Sequence, residues 1–306
     1  MKLFSMALAS VGFATSAAAQ VEISVNPDRD VAVVAHRACW ENGAPEVSVS
    51  AIKACAEIAP EIIEIDVRRT RDGALVLMHD ETVDRTTNGT GTVEEMSLAE
   101  IRALRLRAGD GGPDAPITNE LVPTLEEALE AVKGQSILHL HMYTAAEQEV
   151  TETVKKTGMA GKVTTWVGHK PDSSALASSP MLGTLGLIPI IKECSDRPSD
   201  GCWTSPVVSL SDYEPYQPSG FYAIPSGRVS TDNAHRFFSS VAAASRSKGS
   251  KIMASTLFDL DTLPLPELQE KWRELVESGV EIIMTDRPAE LIDFLREEKR
   301  ASKASE

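Results

Sequence analysis

Residues 62–67 read Ile-Ile-Glu-Ile-Asp-Val, and this stretch decides how the rest of the chain is interpreted. The run is apolar apart from two acidic residues, which is typical of a buried strand. Because side chains alternate along a strand, Glu64 and Asp66 point to one face and their apolar neighbours to the other. An isolated Glu-x-Asp pair more often lies on a solvated strand face. In a buried strand, however, paired carboxylates need a compensating cation, and they are suited to hold Mg²⁺ or Ca²⁺.

Other candidate catalytic residues lie nearby, at the ends of strand-like runs. His36 and Arg37 follow the run that starts at Val31, and His79 ends the run that starts at Ala74. Two histidines can exchange protons beside a bound anion, and the planar fork of an arginine suits a phosphoryl group. An ion pair between Arg37 and a nearby carboxylate remains the alternative.

The order and spacing of these residues resemble the glycerophosphodiester phosphodiesterase family. Its motifs are His-Arg-Gly, Pro-Glu-Asn-Thr, Glu-x-Asp-Val, Thr-x-Asp-Gly, His-Asp and Asp-Arg-Thr-Thr. The corresponding residues here are His36-Arg37-Ala38, Pro45-Glu46-Val47-Ser48, Glu64-Ile65-Asp66-Val67, Thr70-Arg71-Asp72-Gly73, His79-Asp80 and Asp84-Arg85-Thr86-Thr87. The run from Gly279 to Pro288 is also similar to the family.

The resemblance implies metal-dependent hydrolysis of a glycerophosphodiester to glycerol 3-phosphate and an alcohol, through attack by the glycerol 2-hydroxyl and a cyclic phosphate. It implies that His36 and His79 act as general acid and base, in an order that stays open. Arg37 would contact the phosphate, and the metal would be Mg²⁺ or Ca²⁺. The metal ligands on these motifs are Glu46, Glu64 and Asp66.

The third predicted strand departs from the family pattern. The family carries an acidic metal ligand there, followed closely by a lysine, but residues 139–143 read His-Leu-His-Met-Tyr and the next lysine is Lys155. His141 takes the acidic position, so we predict it as a metal ligand, and an imidazole favours Zn²⁺ or Mn²⁺. Ala38 and Val47 also replace a glycine and an asparagine. These departures predict that the substrate specificity is altered or that the activity is reduced.

Two other functions remain open. His139 and His141 form a His-x-His pair like that of zinc-dependent amidohydrolases, with His169 and Asp286 as further candidate ligands, or they could simply fill the barrel interior. Those enzymes carry the pair on the first strand, however. The second alternative is an exported protein that binds phosphodiesters or lipid headgroups with little or no turnover.

The strand and helix signals predict an α/β fold, a (β/α)₈ TIM barrel with a small insertion after the second strand. Only a short link that ends in Thr70-Arg71-Asp72-Gly73 joins the second strand to the run at Ala74, too short for a parallel crossover, so Asp72-Gly73 should form a hairpin turn. The insertion is expected at about residues 73–119. The predicted barrel strands are 31–36, 62–67, 137–142, 162–167, 185–191, 221–224, 251–255 and 281–285.

Residues 1–19 have a basic start, an apolar run and an Ala-x-Ala ending, which predicts a signal peptide before a single domain at 20–306. We therefore expect an exported protein, periplasmic or secreted. Four cysteines fit an oxidising compartment. The candidate disulfides are Cys194–Cys202 and Cys39–Cys55, with unpaired thiols as the alternative.

The formal net charge is −15, and loss of Lys2 with the leader makes it −16. Such acidity argues against nucleic acid and anionic membranes as partners, since both bind basic surfaces. No segment after the leader is long and apolar enough to predict membrane insertion. The expected partner is a small phosphodiester, and the sequence does not indicate an oligomeric state.

Overall fold

Eight parallel strands close into a barrel in the computed structural model, which describes residues 21–167, 174–193, 210–225, 232–258 and 260–305. Pairing of β1 with both β9 and β2 closes the ring. This architecture confirms the predicted TIM barrel. The strands in the described part of the chain are β1 (Ala32–Ala35), β2 (Ile62–Arg69), β3 (Leu75–Leu77), β4 (Ile137–Met142), β5 (Val163–Val167), β6 (Gly186–Lys192), β7 (Phe221–Ile224), β8 (Ile252–Ser255) and β9 (Ile282–Thr285).

Helices follow most of the barrel strands. Ser48 caps the first of them by accepting a hydrogen bond from the Ala51 N–H at 3.0 Å. Thr124 and Glu127 form the capping box that the sequence predicts. Within the described residues, no helix is both long and apolar enough to span a membrane. The helices are α1 (Val49–Ile58), α2 (Leu98–Arg102), α3 (Leu125–Val132), α4 (Glu147–Lys156), α5 (Ser174–Ala177), α6 (Asp232–Arg246), α7 (Leu265–Glu277) and α8 (Pro288–Ala304).

β3 folds back on β2 as an antiparallel hairpin, as the short connection predicts. Gly73 closes the turn with a φ of 87° and donates its N–H to the Thr70 carbonyl at 3.0 Å. The segment between β2 and α3 also contains α2 and has a small core of its own. The bounds 73–119 for an insertion stay a prediction. The buried residues of this core are Val76, Met78, Val83, Val93, Ile101, Leu106 and Val122.

The barrel interior is apolar at one end and polar at the other. Ile62, Ile137 and Ile282, at the amino ends of their strands, belong to one buried apolar cluster. The chemistry-bearing residues lie toward the carboxyl ends of β1, β2, β4 and β9, where the chain leaves the sheet. The fold thus gathers the residues of the predicted site at a single mouth of the barrel.

A disulfide joins Cys39, in the loop after β1, to Cys55 in α1, which confirms one of the two predicted bridges. It ties the loop that follows His36 to the adjacent helix. The predicted Cys194–Cys202 bridge and the predicted leader at residues 1–19 lie outside the described residues.

Candidate active site

His36 lies at the carboxyl end of β1, and the neighbouring β9 supplies its partner. The register pairs Ala35 with Thr285, so the next residues, His36 and Asp286, emerge side by side. His36 Nδ1 lies 2.7 Å from Asp286 Oδ1, and its Nε2 lies 4.0 Å from Glu64 Oε2. The aspartate orients the ring and leaves Nε2 as the atom that can exchange a proton.

The turn after His36 has a constrained backbone. Arg37 and Ala38 have φ angles of 53° and 67°, in the left-handed region that favours glycine. The Arg37 N–H donates to Glu64 Oε2 at 2.9 Å, and the Ala38 N–H donates to the Glu64 carbonyl at 3.0 Å. An alanine in this conformation costs about 1 kcal/mol relative to glycine. The protein therefore accommodates Ala38, in place of the glycine of the family motif, at a modest cost in stability.

Glu64, Asp66 and His141 form a cluster at the mouth, in which the two carboxylates are buried and His141 is half-buried. Asp66 on β2 is in register with His141 on β4, so their side chains are neighbours on the inner face. One ligand atom from each of the three residues lies within 4.8 Å of the others. Glu64 Oε1 and both carboxylate oxygens of Asp66 are buried without a hydrogen-bond partner among the described residues. Such oxygens are the groups that a bound cation would satisfy.

Burial controls the protonation of this cluster. It raises the pKa of Asp66 well above its usual range, and repulsion from Glu64 raises it further. Burial also raises the pKa of Glu64, against the opposing charge of His36. The pKa of His141 falls to about 4, first through burial and then through His79, so its ring is neutral near pH 7. Two carboxylates that keep oxygens without hydrogen bonds, together with a neutral imidazole, are a donor set that fits a divalent metal ion.

Glu46, the other predicted ligand, is held by two arginines. Its Oε2 lies 3.0 Å from Arg37 Nη1 and its Oε1 lies 2.6 Å from Arg85 Nη2. Glu46 is buried and is not part of the cluster defined by Glu64 and its neighbours. Its role as a metal ligand stays a prediction. Glu46 is the carboxylate partner of Arg37 that the sequence analysis gave as an alternative to phosphate contact. The Nε of Arg37 is nevertheless buried without a hydrogen bond.

His79 follows β3 and is oriented in the same way as His36. Its Nδ1 lies 2.7 Å from Asp80 Oδ1, and Arg85 in turn holds Asp80 through contacts of 2.7 and 2.8 Å. Those hydrogen bonds from Arg85 keep the pKa of Asp80 well below its usual range. Burial lowers the pKa of His79. The His79 ring meets Tyr143 edge-on, with ring centroids 5.5 Å apart.

Sequence reasoning did not identify Arg68. It donates from Nε and Nη2 to the His79 carbonyl at 3.1 and 2.8 Å, and its guanidinium lies 4.5 Å from the centre of the Tyr143 ring. Within the described residues no carboxylate lies close enough to form an ion pair with it. The alternation along β2, which places Arg68 on the same face as Asp66, was the available signal.

His139 does not join the cluster. It is fully buried, its Nδ1 lies 2.9 Å from Thr164 Oγ1, and its ring lies 4.1 Å from that of Trp166. Burial lowers its pKa to about 3. Of the ligands considered for a zinc-dependent amidohydrolase, Asp286 is bound to His36, and His169 lies outside the described residues. That alternative therefore gains no support from the site.

Known proteins share both the sequence and the fold. A glycerophosphodiester phosphodiesterase of Caldanaerobacter subterraneus is 36% identical over 138 residues, covering 43% of this chain and 55% of that protein. One of Bacillus subtilis is 30% identical over 176 residues, covering 53% and 59%. The match thus spans a little over half of each relative. The crystal structure of a glycerophosphoryl diester phosphodiesterase from Parabacteroides distasonis aligns with a TM-score of 0.70 and 26% identity, over 91% of this chain and 94% of that one.

The sequence model of one family matches from the first catalytic candidate to the first turn of α8. It covers residues 36–290, and so includes every predicted site residue. The chain therefore belongs to the glycerophosphoryl diester phosphodiesterase family.

Proposed function

We propose that the protein hydrolyses glycerophosphodiesters to glycerol 3-phosphate and an alcohol. The named relatives indicate the substrate class, and the paired orientation of His36 and His79 is the observation that carries the chemistry. Each ring has its Nδ1 2.7 Å from an aspartate oxygen, Asp286 in one case and Asp80 in the other. The aspartates fix the tautomers and leave each Nε2 to accept or donate a proton.

The proposed reaction uses these two histidines in turn. One of them removes the proton of the glycerol 2-hydroxyl, whose oxygen attacks phosphorus. The other donates a proton to the alcohol oxygen as its bond to phosphorus breaks. Water then opens the cyclic phosphate with the proton transfers reversed, which yields glycerol 3-phosphate. The order of His36 and His79 as acid and base stays open.

Two arginines are the candidates for contact with the phosphate. Arg37 has a buried Nε without a hydrogen bond, and Arg68 has no carboxylate partner in the described part of the chain. Guanidinium groups suit phosphoryl oxygens because they offer paired donors in one plane. We infer that Arg37 and Arg68 share the charge of the phosphodiester, with Arg85 kept in place by Asp80 and Glu46.

Glu64, Asp66 and His141 are the residues that would hold the metal, and Glu46 remains a further candidate. When bound, a divalent ion supplies positive charge that offsets the phosphate and the charge that develops in the transition state. The histidine among the ligands favours Mn²⁺ or Zn²⁺ over the Mg²⁺ or Ca²⁺ that the family resemblance implies.

Release of glycerol 3-phosphate from glycerophosphodiesters tests the proposal. Metal-stripped protein would be reconstituted separately with Ca²⁺, Mg²⁺, Mn²⁺ and Zn²⁺. We expect release with at least one ion, and loss of about 10²–10⁴ in kcat for His36→Ala and His79→Ala. His235→Ala is the matched control, because His235 lies on α6 and contacts Ser278 and Glu274.

Several outcomes would contradict the proposal. Near-normal turnover in both histidine variants would exclude their assignment as acid and base. Amide or lactone hydrolysis without any phosphodiesterase activity would favour the amidohydrolase alternative. Binding of glycerophosphocholine without product would favour a binding role.

We also propose that the protein is exported. The described disulfide and the leader-like residues 1–19 support this location. N-terminal sequencing of protein recovered outside the cytoplasm should then begin at Gln20. A mature protein that starts at Met1 would contradict cleavage.

A further inference from the structure

A cavity of about 520 Å³ adjoins His36 and Arg37 at the mouth of the barrel. His36 and Arg37 form part of its wall, whereas Glu64, Asp66 and His141 do not line it. The cavity lies over the carboxyl ends of β1, β8 and β9, which are neighbours in the barrel. A substrate whose phosphate contacts His36 and Arg37 can therefore extend into this space.

The cavity is strongly acidic. Two arginines line it, but Arg37 is paired with Glu46 and Arg287 is paired with Glu290, and neither of those glutamates faces the cavity. The charges of Arg37 and Arg287 are thus compensated by glutamates that do not line the cavity. An excess of carboxylates remains and favours a cationic occupant. The acidic residues that line the cavity are Glu41, Asp110, Asp261 and Asp286; Asp286 is bound to His36, and Asp261 accepts hydrogen bonds from Thr285 and the Asp286 N–H.

Two aromatic residues complete the wall. Phe258, in the loop after β8, is 79% exposed and has a φ of 68°, a conformation that side chains larger than glycine rarely adopt. Leaving a phenylalanine in water forgoes the stabilisation that its burial would supply. Trp40 reaches the same cavity from the loop after β1. Aromatic faces beside carboxylates are the combination that binds ammonium groups, quaternary ones included.

We propose that this cavity receives the leaving alcohol and selects alcohols that carry an ammonium group, as in choline or ethanolamine. The inference rests on the proposed function and names its substrate class. The phosphate would sit at His36 and Arg37, and the ammonium group would sit between the carboxylates and the Phe258 ring. Neutral polyols could donate hydrogen bonds to these carboxylates but would gain neither charge attraction nor a cation–π contact, and an anionic alcohol would be repelled.

A panel of four diesters tests the proposal. Glycerol 3-phosphate release would be measured for glycerophosphocholine, glycerophosphoethanolamine, glycerophosphoglycerol and glycerophosphoinositol. We expect kcat/KM to favour the two cationic substrates by about tenfold. Glu41→Gln and Phe258→Ala should each reduce this preference several-fold. Glu267→Gln is the matched control, since Glu267 is exposed on α7 away from the cavity and should keep the preference.

Equal kcat/KM across the panel, or a preference that survives both cavity variants, would overturn the proposal. Hydrolysis of none of the diesters would contradict the proposed function instead. In that case calorimetric titration with choline chloride still decides the inference, because binding that Glu41→Gln weakens supports it and no binding overturns it.

The pH dependence provides a second measurement. Burial and the carboxylates of Glu290, Asp286 and Asp261 raise the pKa of Glu41 to about 7, against the opposing charge of Arg287, although Glu41 itself reaches solvent. Glu41 is then neutral below this pKa and ionised above it. The preference for cationic substrates should rise between about pH 6 and pH 8. It should stay flat in Glu41→Gln, and an unchanged slope in that variant would count against the proposal.

Discussion

Replacing Asp66 by asparagine tests whether the buried carboxylates of β2 depend on a cation. Asp66 is 0% exposed, and neither of its oxygens has a hydrogen-bond partner among the described residues. Without a cation, the folded protein must either bury the charge of this carboxylate or keep it protonated, which costs about 1–3 kcal/mol, and an asparagine requires neither. We therefore expect Asp66→Asn to stabilise metal-stripped protein by about 2 kcal/mol, which for a domain of this size raises Tm by about 4 °C.

The expected stabilisation by Asp66→Asn agrees with the direction in which the pKa of Asp66 is shifted. Burial raises the pKa of Asp66 in the folded protein, so from about pH 4 upward the folded state retains a proton that the unfolded chain has released. Stability of the metal-free protein then falls as pH rises through this range. Asp66→Asn has no such group and should show a flatter dependence of Tm on pH.

Glu46→Gln is the matched control, because it also removes one buried negative charge. Glu46 is paired with Arg37 and Arg85 at 3.0 and 2.6 Å, so its loss leaves two guanidinium groups short of a partner. Breaking a buried ion pair from one side costs about 3–5 kcal/mol, and the amide recovers part of this. The two variants should therefore shift Tm in opposite directions.

Addition of a divalent ion completes the experiment. At about 100 times Kd the ion should stabilise the wild type by about 2.7 kcal/mol, or about 5 °C in Tm. Asp66→Asn should lose this increase, and the size of the increase that Glu46→Gln retains shows whether Glu46 is a further ligand. Differential scanning calorimetry measures all of these values. A lower Tm for metal-free Asp66→Asn, or an unchanged response of that variant to the ion, would refute the reasoning.

Three further predictions concern other contacts. Asp286→Asn alters the acceptor that lies 2.7 Å from His36 Nδ1, and it should lower kcat about 10- to 100-fold with little change in KM. An unaltered kcat would contradict the orienting role of Asp286. Arg68→Gln should raise KM about tenfold in steady-state assays, whereas Arg69→Gln, which alters an exposed side chain, should not. Reducing the Cys39–Cys55 bridge, which spans 16 positions, should lower stability by about 3 kcal/mol, and a double serine variant should show no response to reductant.

The barrel strands could be predicted because their sequences are locally consistent. Short apolar runs separated by helical patterns place all eight, and β6 differs from its predicted bounds by only one residue at each end. The hairpin at Gly73 follows from the length of the connection, since a parallel crossover needs a dozen residues or more and this link is much shorter. Both inferences use information that lies within a few residues of the element concerned.

The partners in the site could not be predicted in the same way. Glu46 meets Arg85 across 39 positions in the sequence, and no local pattern shows that this carboxylate is already compensated. The cost of replacing the glycine of the family motif by Ala38 likewise becomes apparent only once the positive φ of this residue is known. Arg68 is different, because the alternation that assigned Glu64 and Asp66 to one face also applied to it.

Charge balance around the two histidines supports the proposed divalent cation. Arg37 and Arg85 are drawn to carboxylates, while Glu64 Oε1 and both oxygens of Asp66 are left without hydrogen bonds. The groups connected there comprise five carboxylates and three arginines, so neutral imidazoles leave two negative charges uncompensated. A monovalent ion would leave one negative charge uncompensated, and binding of an anionic phosphodiester would add another. The net charge of the chain, −15, supplies no positive charge to offset them. One divalent ion compensates both negative charges of the site and leaves donors of Arg37 and Arg68 for the phosphate. Metal removal should therefore weaken substrate binding as well as turnover. The groups counted are Glu46, Glu64, Asp66, Asp80, Asp286, Arg37, Arg68 and Arg85.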